Sequence, residues 1–264
     1  MSLNLSTISY EVRNGVAHVR FTEPDRANAV SPQFSRDLRD VMIEIEFDPA
    51  VKAVSVTAEG KVFCAGGDLK LFAEAGDDVA RLATDMLVDY HNAIYRMNRI
   101  PKPFVAGVRG AAGGAGLSLM AALDLVVSAE SAKYTMAYTN AGVTPDGTSS
   151  YFVARHIGLR RMMDLTLTNR VLDSDTAEQW GLVNRVVPDD DVDTEAAALA
   201  QKLADGPAWA SGMAKRVIYE GYESQLETAG EFEGVTIAAS MKTHDGMEGI
   251  NAFANKRRPE FRGG

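Results

Sequence analysis

The chain has a single cysteine, Cys64, in 264 residues, so an internal disulfide framework is impossible. A lone thiol of this kind fits a reducing cytosol, and a cytoplasmic protein is expected. Long apolar runs are missing too. None reaches the roughly 18 residues that a membrane-spanning helix needs. The opening stretch, MSLNLSTISYEVRNG, lacks the basic and apolar regions of a signal peptide. Positive charge is scarce: 27 Lys and Arg face 36 Asp and Glu, for a net charge of -9. Without a basic stripe, neither nucleic acid nor an anionic membrane surface is an expected partner. A phosphorylated small ligand stays open, since a few local cations or helix N-termini suffice to hold one. With four histidines and no CxxC pair, HExxH or acidic calcium loop, no metal site is expected.

What is present is ordinary for a globular domain: 46% apolar and 24% charged residues. The length fits one large domain, or a core with an appendage. Residues 6–21 read as two strands around the turn Asn14-Gly15. A helix follows, with Ser31 as N-cap and Pro32 at its first position. Its core face is Phe34, Leu38, Val41, Met42 and Ile45. A pattern then repeats. The apolar run AVSVTA (53–58) leads into the loop GKVFCAGGD (60–68) and a short helix, 68–75. After a longer helix near 79–98, PFVAGV (103–108) leads into the loop GAAGGAG (110–116) and a helix, 117–123. LDLVVSA (123–129) reads as another strand. Strands alternating with helices imply an α/β core with parallel pairing. From about 150 onward the pattern is mostly helical, with Gly158, Gly181 and Gly206 as stops and one short strand at 183–187.

Two Gly-rich loops, each between an apolar strand and a helix, can present free backbone N–H groups at positive helix ends. Together they can aim two donors at one oxygen, forming an oxyanion hole. Tight strand–helix turns alone would also account for the glycines, and spacing does not separate the two readings. The second loop has no GxGxxG, because residue 119 is Leu, and no nucleophile elbow forms around Ser118.

The motifs go further. VFCAGGDLK (62–70) resembles the F-x-A-G-x-D-[LI] loop of the crotonase (enoyl-CoA hydratase/isomerase) superfamily. KPFVAGVRGAAGGAGLSLMAALDLVVS (102–128) is similar to that family's second Gly-rich segment. TPDGTSSYFVARHIG (144–158), LTNRVLDSDTAEQWGLVNRVVP (167–188) and FANKRRPEF (253–261) follow its course in order and spacing. The resemblance implies an α/β crotonase (ClpP-like) ββα superhelix core with a C-terminal α-helical trimerisation region. Residues 1–200 would be the spiral core and 201–264 the helical region. It implies an acyl-CoA substrate, no cofactor beyond the coenzyme A that the substrate carries, and a homotrimer or a hexamer built as a dimer of trimers. Gly67 and Ala115 would supply the oxyanion-hole N–H groups. Arg26, Ala27, Ala65, Asp68 and Leu69 would lie along coenzyme A. Tyr138 would face the substrate, and Phe253 and Lys256 match a tail that reaches coenzyme A.

The hydratases of the family add water with two glutamates. Here those positions hold Ser118 and Tyr138, neither of which is a carboxylate base. Asp146 instead matches the acidic residue of Δ3,Δ2-enoyl-CoA isomerases and of 1,2-epoxyphenylacetyl-CoA isomerases. On its own, Pro-Asp-Gly reads as an ordinary turn. The resemblance makes Asp146 a proton shuttle, walled by Tyr138, Met136 and Phe152. A second reading takes His91. Its helix resembles that of the family's 4-chlorobenzoyl-CoA dehalogenases, in which Asp146 would be the nucleophile and His91 would activate water. Without that match, His91 reads as a helix-surface histidine. His18, His156 and His244 are expected to be structural, and Cys64 a small buried hydrophobe.

Overall fold

The computed structural model describes residues 3–263. The predicted hairpin forms: β1 (Ile8–Arg13) pairs antiparallel with β2 (Val16–Phe21). Beyond it the sheet is parallel. β3 (Ala53–Ala58), β4 (Phe104–Val108), β6 (Leu125–Ala129) and β9 (Arg185–Val187) extend it in the order β1-β2-β3-β4-β6-β9. Every residue of β3 and β4 is buried, as expected for parallel strands covered on both faces. Side chains alternate between the faces. Ala17, Val19, Phe21, Val54, Val56, Phe104 and Ala106 join the larger core. Val16, Ala53, Val105 and Val127 point the other way, onto Ala196, Ala200 and Ala204 of α8 (Val192–Ala204).

The larger core lies under α1 (Pro32–Phe47) and α3 (Val79–Arg99). Ser31 caps α1, its Oγ accepting from the Phe34 N–H at 3.2 Å. All five residues of the anticipated apolar stripe are buried. The anticipated helices after residue 150 are α5 (Ser149–Ile157), α6 (Leu159–Leu167), α7 (Ser174–Trp180), α8, α9 (Ala208–Glu223), α10 (Leu226–Ser240) and α11 (His244–Ala254). The last three leave the sheet. Among the described residues no helix is long and apolar enough to cross a membrane.

The structure departs from expectation around the second Gly loop. Its middle is a strand, β5 (Ala111–Gly113), and α4 (Ala115–Ala121) starts two residues earlier than its apolar run. β5 pairs parallel with β7 (Lys133–Thr135), which pairs antiparallel with β8 (Leu172–Asp173), forming a second sheet. Strands of two or three residues carry too little periodicity to be read from sequence; their partners create them.

Candidate active site

The site is built where the two Gly loops meet. The first lies between β3 and α2 (Leu69–Glu74) and is held from below by Asn28. That side chain is 1% exposed and donates to the carbonyls of Glu59 (3.0 Å) and Val62 (2.8 Å). Its Oδ1 accepts from the Glu23 N–H at 3.0 Å. A short ladder then ties the two segments: Ala65 N–H to Ala27 O, Val30 N–H to Gly66 O and Asp68 N–H to Val30 O. The ladder alternates, so it skips the Gly67 N–H.

The second loop is tied in the same way. Gly113 N–H donates to Cys64 O and Gly114 N–H to Thr135 O, both at 3.0 Å. Ala115 is the first residue of α4, where an N–H has no partner one turn back. Among the described residues, neither Gly67 nor Ala115 donates a backbone hydrogen bond. The loops touch at Gly66, whose φ is +112°. A Cβ there would stand 2.9 Å from Gly113 O and 3.6 Å from Ala115 N, so a side chain would pry the loops apart.

Both free amides line one cavity of about 450 Å³. Its walls are mostly apolar and include Val30, Leu69, Phe72, Ala137 and Val143. α3 adds Val79, Ala83, Met86 and Tyr90, spaced to fall on one helix face. Among the described residues that line it, Asp146 supplies the one carboxylate. No group of three His, Cys, Asp or Glu among the described residues is placed to hold a metal ion.

Asp146 is held by hydroxyls. Tyr138 Oη donates to its Oδ1 at 2.5 Å and lies 2.9 Å from Ser118 Oγ. Burial, and then the charge of Asp146, push the Tyr138 phenol far above its ordinary range. Burial does the same to Tyr90, whose hydroxyl donates to Ala115 O at 2.6 Å. Both phenols are therefore neutral donors at neutral pH. Cys64 lies under the loops, and burial pushes its thiol up to about 12. It is inert as a nucleophile.

The structure thus brings together Gly67, Ala115, Asp146, Tyr138, Ala65 and Leu69 from the anticipated set. The rest fall outside the cavity lining. Arg26 forms an ion pair with Asp68, which also caps α2 by accepting from the Leu71 N–H at 3.1 Å. Ala27 holds the first loop through its carbonyl. Phe253, on α11, is 74% exposed, and Lys256 follows that helix. His91 lies one residue beyond Tyr90, about 100° round α3, and is not among the residues that line the cavity. Its ring lies beside Tyr95, and its Nε2 is buried without a partner among the described residues. Met136 and Phe152 are buried but form no part of the cavity wall. Sequence reasoning missed Phe72, Met86 and Tyr90. The spacing of 79, 83, 86 and 90 was visible, yet it matches any core-facing helix.

Comparison with known proteins gives the family. Residues 11–264 match the family described as enoyl-CoA hydratase/isomerase. The chain is 36% identical to 4-chlorobenzoyl coenzyme A dehalogenase-2 of an Arthrobacter species, covering 94% of this chain and 91% of the relative. It is 30% identical to the 1,2-epoxyphenylacetyl-CoA isomerase of Escherichia coli, covering 96% and 97%. The solved structure of an enoyl-CoA hydratase from Polaromonas superposes with a TM-score of 0.91 at 30% identity, over 97% of this chain and 99% of that one. The chain belongs to the enoyl-CoA hydratase/isomerase (crotonase) family of acyl-CoA enzymes.

Proposed function

We propose that the protein is a Δ3,Δ2-enoyl-CoA isomerase, or a ring-modifying isomerase of the 1,2-epoxyphenylacetyl-CoA type. The observation that carries this reading is a single carboxylate, Asp146, in an apolar cavity with two unpaired amides. The thioester oxygen sits against the N–H groups of Gly67 and Ala115. The free oxygen of Asp146 takes a proton from C2 of a 3-enoyl thioester. The electron pair moves into the carbonyl, and the dienolate oxygen is held by the two amides. Asp146 returns the same proton at C4, leaving the conjugated 2-enoyl thioester. Atoms balance, nothing is oxidised or reduced, and coenzyme A enters and leaves as part of the substrate. Ser118 and Tyr138 cannot act as the carboxylate pair that water addition uses. Ala65 and Leu69, the latter 64% exposed, support a path for the pantetheine arm at the mouth. The exposed Leu226, Val235, Ile237, Met247 and Ile250 of α10 and α11 support the expected trimer, alone or paired into a hexamer.

The second reading, a 4-chlorobenzoyl-CoA dehalogenase-like enzyme, is favoured by the 36% identity to such a protein. There Asp146 attacks the aryl carbon and displaces halide. His91 would then have to activate water from outside the cavity, which weighs against this reading.

The test offers a 3-enoyl-CoA and a 4-halobenzoyl-CoA to the purified protein. Absorbance of the conjugated thioester rising with the first, no halide from the second, and a loss of about 10³-fold in Asp146→Asn are expected. Halide release without isomerisation moves the assignment to the dehalogenase. Full isomerase activity in Asp146→Asn removes Asp146 from the mechanism.

A further inference from the structure

Ser118 and Tyr138 stand at the two positions where water-adding relatives carry carboxylates, and neither is idle. Ser118 is fully buried and Tyr138 nearly so. Tyr138 Oη reaches Asp146 Oδ1 at 2.5 Å and Ser118 Oγ at 2.9 Å, and Ser118 Oγ reaches Gly114 O at 3.1 Å. Gly114 C=O belongs to the same peptide unit as the Ala115 N–H. One chain of hydroxyls therefore joins the acid to the amide that closes the oxyanion hole. The backbone is bent to make it. Ala137, just before Tyr138, has φ +53°, and Thr148, just after the Asp146 turn, has φ +63°. Non-glycine residues in this region carry strain that their surroundings must hold.

We propose that Ser118 and Tyr138 are positioning residues that grip Asp146 through Oδ1, leave Oδ2 to the substrate, and couple its protonation to the Gly114–Ala115 peptide. The proton count sets the direction. A carboxylate only accepts, so the Tyr138 proton points at Asp146. The Tyr138 oxygen then accepts from Ser118, and both hydroxyl dipoles support the anion. When Asp146 takes up a proton, its pull on Tyr138 weakens. The Ser118 proton is then free to turn to Gly114 O. That polarises the peptide whose N–H faces the enolate, at the step where the enolate forms.

The other titratable groups around the relay are Tyr90 and His91 on α3 and Cys64 on the first loop. Tyr90 and Cys64 stay neutral through the working range, because burial raises both. The His91 ring lies 6.4 Å from that of Tyr90, so His91→Asn is the control for its titration. No lysine or arginine lines the cavity among the described residues.

The relay rests on Asp146 facing the substrate, as proposed above, and its test is chosen to separate the two. Tyr138→Phe keeps the ring and deletes one donor. Its kcat should fall about 10–100-fold with KM within about twofold, since a hydrogen bond to a charged group is lost. The acid limb of its pH–rate profile should move up, because the charged form loses a donor. Ser118→Ala should shift both in the same direction by less. A merely structural role would lower the melting temperature and leave the acid limb in place. The second readout needs no turnover. The carboxyl infrared band of Asp146, identified by its loss in Asp146→Asn, is titrated in wild type and Tyr138→Phe. A midpoint that rises in the variant supports the relay, even if wild type turns over no 3-enoyl-CoA; that result overturns only the reaction. An unmoved midpoint in an active enzyme overturns the relay.

Discussion

Asp124, beyond α4, and Asp146, before α5, are both at least partly buried, and they are steadied in opposite ways. Asp124 Oδ2 meets Lys215 Nζ at 2.8 Å and accepts from the Phe104 N–H at 2.8 Å. Lys215 reaches in from α9, donates also to Met97 O and Lys102 O, and sits over the Phe104 ring. Burial pushes the Asp124 carboxyl up and the Lys215 amine down, and each opposes that effect on the other. Here a carboxylate is stitched to a cation and does no chemistry; it pins a C-terminal helix to the sheet. Asp146 pairs with no cation among the described residues. One hydroxyl holds Oδ1, Oδ2 takes no hydrogen bond among the described residues, and Asp146 lines the cavity. A carboxylate is available for reaction when dipoles rather than a counter-ion steady it, and when only half of it is steadied.

The largest break in that comparison is Lys215→Ala. It strands a buried anion, and loss of about 3–5 kcal/mol is expected. That corresponds to a melting point lower by roughly 10 °C. Asp146→Asn, by contrast, should leave the melting point almost unchanged while removing turnover. Calorimetry of the two variants side by side decides it. A double variant, Asp124→Asn with Lys215→Met, should recover much of the loss, because the stranded charge is gone. If Lys215→Ala melts like wild type, the pair is not what anchors α9.

The next effect concerns how closely Asp146, the proton shuttle proposed above, is set. Gly147 follows Asp146 at φ +59°, and a Cβ there would stand 2.9 Å from Ser118 Cβ and 3.0 Å from Tyr90 Cε1. Gly147→Ala should therefore push the loop off the relay and misplace the acid. Turnover should drop about 100-fold, a typical penalty for a displacement near 1 Å. Stability should fall by only about 1–2 kcal/mol, the cost of a left-handed alanine. Steady-state kinetics with a 3-enoyl-CoA, set against a thermal melt, reads the two effects separately.

How much of this the sequence carried depended on range. The α1 cap, the hairpin and both Gly loops are local, and local chemistry writes them plainly. Asn14-Gly15, Ser31-Pro32 and the glycines at 66–67 and 113–114 demand their conformations. Asp146 was visible only through family resemblance, because Pro-Asp-Gly is a common turn. The contact that matters to it, Tyr138, spans eight residues with a bent backbone between, and nothing in the composition announces it. β5, β7 and β8 exist because they find one another. His91 was weighed as catalytic because its helix resembles that of the family's 4-chlorobenzoyl-CoA dehalogenases, yet it is the neighbouring Tyr90 that lines the cavity. On a helix, adjacency in sequence means facing different ways. Lys215 and Asp124 are 91 positions apart, and only the folded chain joins them.

A third carboxylate sharpens the contrast with the smallest effect. Asp37, on α1, is 2% exposed and pairs with no cation among the described residues. Its Oδ2 accepts from the N–H groups of Ser6 and Thr7 and from Thr7 Oγ, and its Oδ1 accepts from Gln33 Nε2. Both oxygens are taken, so Asp37 is steadied by dipoles, as Asp146 is, yet closed to chemistry, as Asp124 is. Burial alone would raise its carboxyl, and the donors from Ser6, Thr7 and Gln33 more than offset that, holding it below its ordinary value of 3.8. A carboxyl depressed in the folded state stabilises the fold above its ordinary pKa and loses that contribution as pH falls through the folded value. Asp37→Asn should thus cost about 2 kcal/mol at neutral pH, from hydrogen bonds to a charge that no longer exists. The difference from wild type should shrink steadily below pH 3.8, where the wild-type carboxyl begins to protonate on unfolding. Urea melts of both proteins across that range measure it. A gap that stays constant with pH would mean that shape, rather than charge, is what Asp37 contributes.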